Sequence, residues 1–217
     1  YGKTDVILAV KCANLVGLRC TASACNKAVE AVIRQVAAVG LALRACKLTV
    51  VDQLTRIVIH GVLPLQEGIQ VVLTRQTDEM LCQANASNRK QEDMKRRVEL
   101  INEAKPFLAV SIHQNSYLSS NVKGAQVFYY EKSEKGKVLA NKIQGCLVKG
   151  LAEENKGRVE KANDNYFLIM NVTCPAVIVE CGFLSNEDEA KLLSDNAYQD
   201  KIAKTIVDGI REYLQEY

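Results

Sequence analysis

No apolar run in this 217-residue chain is long enough for a membrane-spanning helix, which needs roughly 18 to 20 residues. The one candidate, Val6 to Val16, is short and interrupted by Lys11. Charge of one sign is lacking too: 28 Lys and Arg stand against 25 Asp and Glu, a formal net charge of +3, and the signs are interspersed. That balance offers no basic footprint for nucleic acid, so no nucleic-acid partner is expected. The eight cysteines include no Cys-x-x-Cys pair, which argues against a thiolate zinc cluster and leaves most of them as small buried hydrophobes. The numbering opens without the charged, apolar and small-residue zones of a signal peptide. No Pro-, Gly- or Ser-rich linker divides the chain.

What is present suits one well-filled core. With 48% hydrophobic and 24% charged residues, a single α/β domain over residues 1–217 is expected. Its character changes near residue 66. Between Gly2 and Gln66 there are no aromatic residues, three acids (Asp5, Glu30, Asp52) and four of the cysteines, and the aromatics resume only after Pro106. In this first part Val6 to Val10 reads as a strand, Asn26 to Lys47 as a helix and Arg56 to His60 as a second strand. Further on, strands are expected over Ile69 to Leu73, Phe107 to Ile112, Gln126 to Tyr130 and Ala176 to Glu180. Helices are expected over Arg89 to Ala104, from Ser133 to about Glu153, and along the stripe Ile202, Ile206, Ile210 and Leu214. Asn186 and Glu189 have capping-box spacing. Strands and helices in alternation indicate a mostly parallel twisted sheet flanked by helices on both faces.

Two of these strands end on chemically active groups. Val177, Ile178 and Val179 lead into Glu180 and then a glycine, and an acid at the carboxyl edge of an apolar strand sits where ligand crevices form in open α/β sheets. His113 ends Phe107 to Ile112 in the same way, with Asn115 two residues on and on the same side. A neutral imidazole ligates zinc, and a nearby carboxylate that is not a ligand takes protons from water.

Several segments together resemble the zinc-dependent N-acetylmuramoyl-L-alanine amidases of bacterial cell-wall turnover. They are Thr74-Arg75, Arg97-Val98 with Ile101-Asn102, Val110 to Asn115, Gly124 to Tyr130, Lys161-Ala162-Asn163, and Pro175 to Asn186, and their order matches as well. The resemblance spans about Glu67 to Leu214. The insert Arg89 to Arg96 is similar to the subgroup linked to spore-cortex processing. The resemblance implies that His113 is a zinc ligand, Glu180 the catalytic carboxylate, and Asn115 a lining of the substrate groove. It implies zinc as the cofactor, held by two histidines and one glutamate. The substrate is then peptidoglycan, cut between the muramic-acid lactyl carbonyl and L-alanine outside the cytoplasm, with an activating partner protein left open.

The first 66 residues depart from that family. It opens with a strand, a glycine-flanked histidine and a glutamate at the start of the first long helix, and none of that signature is here. Ungapped counting from Val6 to Val10 puts Lys11 at the histidine and Asn26 at the glutamate, and neither is a useful zinc ligand. His60 would supply the missing histidine if Arg56 to His60 were a rearranged first strand, with Glu67 or Glu30 as third ligand. An altered reading frame upstream of Glu67 would also account for the break, and peptide mapping of Tyr1 to Gln66 distinguishes the two. Three functions follow: a zinc amidase; an inactive wall-binding or regulatory homologue that has lost part of the metal site; and, remotely, a thiol enzyme using Cys181 or Cys174.

Overall fold

Strands and helices alternate only in part in the computed structural model, which describes residues 4–10, 48–51, 56–59, 61–62, 68–74, 80–153 and 158–216. β1 (Thr4–Val10), β2 (Leu48–Val51), β3 (Arg56–Ile59), β4 (Gly61–Val62) and β5 (Gly68–Leu73) precede α1 (Arg89–Ala104). After it come β6 (Leu108–Asn115), β7 (Gln126–Tyr130), α2 (Glu134–Gly150), β8 (Lys161–Asn163) and α3 (Phe167–Asn171). The chain then forms β9 (Ala176–Phe183), α4 (Glu187–Ser194) and α5 (Asn196–Leu214).

Among the described residues seven strands form one sheet in the order β4-β5-β1-β6-β9-β7-β8. β5, β1, β6 and β9 run parallel, whereas β4 and β7 are antiparallel to β5 and β9. The sheet is therefore mixed at its margins and parallel at its centre, where the site lies. The strand beside β6 is β1, with Val6 opposite Leu108 and Val10 opposite Ile112. Arg56–Ile59 forms a strand as expected, yet it pairs with Leu48–Val51 in a separate two-stranded sheet and does not take the first-strand position. A short local connection makes that pairing cheaper in loop-closure entropy than insertion between two distant strands. His60, Glu30, Glu67, Lys11 and Asn26, together with the helix expected over Asn26 to Lys47, lie outside the described residues.

Alternate residues of a strand point to opposite faces, and β6 and β9 use this to fill two layers. Val110, Ile112, Val177 and Val179 pack on Leu139, Ile143 and Leu147 of α2 and on Ile202, Ile206 and Ile210 of α5. The four-residue stripes of both helices are thus buried as their spacing predicts. α2 and α5 approach so closely at Gly209 that a Cβ there would stand 2.5 Å from Ile143 Cα. Ala109, Phe128, Ala176 and Ile178 face the other way, against Ile101 of α1 and Leu168 and Ile169 of α3.

Boundaries shift where backbone pairing outlasts the apolar pattern. β6 continues through His113 to Asn115 and β9 through Glu180 to Phe183, because ladder hydrogen bonds do not depend on side-chain polarity. α2 stops at Gly150, short of the expected Glu153, and is capped by Ser133 Oγ, which accepts from the Gly136 N–H at 3.1 Å. β8 and α3, of 3 and 5 residues, are too short for any periodicity to announce them.

Candidate active site

His113 and Glu180 are direct register partners on the parallel strands β6 and β9, which places their backbones about 4.8 Å apart. Both follow, by alternation, the residues that face α1 and α3: Ala109 on β6, and Ala176 and Ile178 on β9. The two groups therefore emerge side by side on one face.

Glu180 is 6% exposed, and among the described residues nothing is in hydrogen-bonding reach of its Oε2. Burial pushes its carboxyl up to about 7, since a charge taken out of water without a partner is disfavoured. His113 is half-buried, with its Nε2 2.7 Å from Ser111 Oγ. Asn115 uses its Oδ1 to accept from the Ser116 N–H at 2.8 Å, while its carbonyl accepts from the Leu184 N–H at 2.8 Å. Its side chain is thereby held against the loop that leaves β6.

Between the His113/Glu180 pair and the Asn115/Phe183 pair the register slips, with one more residue on β9 than on β6. Gly182 sits in this bulge at φ 156°, and a Cβ there would stand 3.2 Å from both Glu189 Oε1 and Leu193 Cδ1. Glu189 occupies that space because its carboxylate accepts from the Phe183 and Gly124 N–H groups, each at 2.8 Å. Only half of the expected capping box forms. Asn186 Oδ1 accepts from the Glu189 N–H at 3.0 Å, but the Asn186 N–H already donates to the Phe183 carbonyl. The glutamate is left to bind the bulge to the Gly124 loop.

Three further residues shape the surroundings. Arg158 donates to the Lys123 carbonyl at 2.8 Å and to Gln126 Oε1 at 2.9 Å, and its guanidinium stands 4.9 Å above the Phe183 ring. Gln126 is the register partner of Glu180 on β7, so this cation is fixed beside the carboxylate's strand. Tyr166 packs edge-on to Phe128, with centroids 5.5 Å apart, and Asn163 Oδ1 accepts its backbone N–H at 2.9 Å. Burial first, and then the charge of Glu180, raise the tyrosine's pKa. Tyr166 and Arg158 lie on short or irregular segments and carry no sequence signal. Asn163 belongs to the quoted Lys161-Ala162-Asn163 motif, and Glu189 is visible only as a capping residue.

The thiols are placed for packing. Cys181 lies in the α2/α5 layer, on the face opposite Glu180, and burial pushes it up to about 12. Burial likewise pushes Cys174 up to about 11. Thiols so far from thiolate at neutral pH are poor nucleophiles. Among the described residues no three His, Cys, Asp or Glu converge as a metal cluster, and no helix is long and apolar enough to cross a membrane.

A family model described as N-acetylmuramoyl-L-alanine amidase matches residues 55–212. The germination-specific N-acetylmuramoyl-L-alanine amidase of Bacillus subtilis (strain 168) is 41% identical over 154 residues, covering 70% of this chain and 64% of that protein. This chain thus spans less than two thirds of that relative's length. In structure the chain is similar to the CwlD amidase from Clostridioides difficile, solved in complex with the GerS lipoprotein. The TM-score is 0.76 at 27% identity, over 99% of this chain and 100% of that one. The catalytic domain of CwlV, an N-acetylmuramoyl-L-alanine amidase from Bacillus (Paenibacillus) polymyxa var. colistinus, shares the fold, with a TM-score of 0.67 at 24% identity over 98% of both chains. With a match over most of its length and His113 and Glu180 paired at the centre of the sheet, the chain belongs to the N-acetylmuramoyl-L-alanine amidase family.

Proposed function

We propose that this chain hydrolyses the amide between the muramic-acid lactyl carbonyl and L-alanine in peptidoglycan, with Glu180 as the proton carrier. The observation that carries the reading is the pairing of a buried carboxylate, one oxygen of which has no protein partner among the described residues, with an imidazole on the neighbouring strand. In the metal-free chain burial raises the Glu180 carboxyl to about 7, towards the range in which a general acid/base both accepts and returns a proton. Glu180 takes the proton of the attacking water as the new C–O bond forms. It then delivers that proton to the L-alanine nitrogen as the C–N bond breaks. Asn115, anchored through its Oδ1, has its Nδ2 to donate to a substrate carbonyl in the groove.

The described residues fit the part of a zinc site that falls to them: His113 would be one ligand, and the unpartnered Glu180 oxygen is an acceptor in want of a proton source. Zinc, when bound, acidifies water at neutral pH and polarises a carbonyl. The other ligands would come from outside the described residues, where His60 is the candidate histidine. Peptidoglycan places the work outside the cytoplasm, in the bacterial wall. Similarity to a germination-specific amidase favours spore-cortex peptidoglycan. Because the Clostridioides difficile relative was solved with a lipoprotein, an activating protein partner belongs to the same reading.

Zinc content and stem-peptide release from peptidoglycan, measured on protein of verified mass, test the proposal. Near-stoichiometric zinc and release that Glu180→Gln abolishes are the expected results. A protein that takes up no zinc and releases no peptide overturns it. A second reading, an inactive wall-binding or regulatory homologue that has lost part of the metal site, is motivated by Lys11 and Asn26 standing where the family has its histidine and glutamate. Peptidoglycan binding that a chelator leaves unchanged, without peptide release, is its signature.

A further inference from the structure

Gln126 and Phe183 flank the carboxylate on its own face of the sheet, and one cation touches both. Gln126 is the register partner of Glu180 on β7, and Phe183 on β9 is the register partner of Asn115. Cross-strand partners share a face. Arg158 Nη1 donates to Gln126 Oε1 at 2.9 Å, its guanidinium stands 4.9 Å from the Phe183 ring centroid, and its Nε donates to the Lys123 carbonyl at 2.8 Å. Gln126 Nε2 donates in turn to the Val159 carbonyl at 2.9 Å, which ties the backbone carrying Arg158 to the same strand.

Every one of these partners is uncharged. A guanidinium has donors left beyond Nε and the one used on Nη1, and among the described residues none of the Arg158 contacts is a carboxylate. Glu189 feels its charge, but the Glu189 oxygens already accept from the Gly124 and Phe183 N–H groups. The arginine is half-buried, so it is not sealed from a ligand. Stacking and hydrogen bonding hold the planar fork in place, which lowers the entropy cost of taking up an anion.

We propose that Arg158 is a substrate-binding residue that takes the carboxylate on the stem residue after L-alanine, giving the site a preference for stems in which that group is free rather than amidated. The inference rests on the amidase reading above and adds recognition of the peptide side of the bond. Reach agrees with it. The L-alanine nitrogen must lie at Glu180 to receive its proton, and two extended residues span roughly 7 Å. Arg158 is offset from Glu180 by one strand spacing to Gln126, about 4.8 Å, and one hydrogen bond beyond it. A carboxylate at that point gains charge-assisted, two-pronged hydrogen bonds that a carboxamide does not.

The test uses L-alanyl-D-glutamate γ-methylamide and L-alanyl-D-isoglutamine γ-methylamide, which differ only in that carboxylate or carboxamide. Both are product-side fragments, so binding to the full chain, measured by calorimetry, needs no turnover. The acid is expected to bind wild type about tenfold more tightly than the amide. Arg158→Gln should bring the acid down to the amide's affinity and leave the amide unchanged, whereas Arg158→Lys, which keeps the charge without the fork, should retain part of the preference. Equal binding of the two ligands to wild type overturns the inference, as does a folded Arg158→Gln that keeps the full preference, or a wild type that binds neither. A preference for the acid without stem-peptide release from peptidoglycan overturns the amidase reading and leaves Arg158 a carboxylate site. Release without the preference overturns the role of Arg158 alone.

Discussion

On the face covered by α2 and α5, β6 and β9 contribute Val110, Ile112, Val177 and Val179 to a layer whose central members are fully buried, among them Leu139, Ile143, Leu147 and Ile206. On the face covered by α1 and α3 the same two strands carry Ala109, Ala176 and Ile178 under a smaller cluster, and then His113 and Glu180. The second face also buries charge. Asp93 and Arg97 of α1 are 3% and 1% exposed and are joined at 2.9 Å, and Asp93 Oδ1 accepts the Leu81 N–H at 2.8 Å. Alternation lets one strand serve both purposes, with stability drawn from one face and strained electrostatics kept on the other. A carboxyl such as Glu180 is tolerable because its neighbours one residue away, Val179 and Cys181, are packed into the opposite layer.

The strongest break in that division is Glu180→Gln. Loss of a general acid/base lowers kcat by about 100 to 10,000-fold, whereas stability should change in the opposite sense. Glu180 titrates near 4.5 when unfolded and near 7 when folded. Between those values the folded chain retains a proton that the unfolded chain has lost, so wild-type stability falls as pH rises and levels off above the folded pKa. Glutamine has no such loss. The metal-free variant should therefore match wild type near pH 4 and exceed it by about 3 kcal/mol near pH 8. Urea denaturation at the two pH values checks this, and equal stabilities at the higher pH would refute desolvation as the cause.

Next in size is Asp93→Ala, which strips a buried arginine of its carboxylate and should cost about 3 to 5 kcal/mol. Hydrogen exchange at Leu81 should accelerate with it, because that amide loses its acceptor. Leu147→Ala, on the apolar face, is expected to destabilise by about 2 to 5 kcal/mol, with kcat of the remaining folded enzyme unchanged. A large kcat effect there would mean that the two faces are coupled. The smallest effect belongs to Cys181→Ala, on the order of 1 kcal/mol in stability with activity retained. Loss of activity would revive the thiol reading.

Much of this arrangement is legible along the chain. The helical stripes Leu139 to Leu151 and Ile202 to Ile210 are buried as their spacing demands. Strand alternation already sets Cys181 on the side away from Glu180 and sets Asn115 with His113. The inward pair Asp93–Arg97 is not legible, because surface (i, i+4) ion pairs have the same spacing. Nor is the destination of the Glu189 carboxylate, which depends on a bulge and on a loop 65 residues earlier in the chain.

The division follows from the range of the forces involved. Side-chain direction, helix stripes and capping are local consequences of a period of two or 3.6 residues, so composition and spacing alone bring His113 and Glu180 to the carboxyl-terminal part of apolar strands, although β6 runs on to Asn115 and β9 to Phe183. Which strand lies beside which is not local. The pairing of His113 with Glu180, the place of Thr4–Val10 beside β6 rather than Arg56–Ile59, and the hold of Glu189 on Phe183 and Gly124 all come from ladders between distant segments. Packing of the whole sheet selects those registers, and only then do an isolated histidine and an isolated glutamate become a pair.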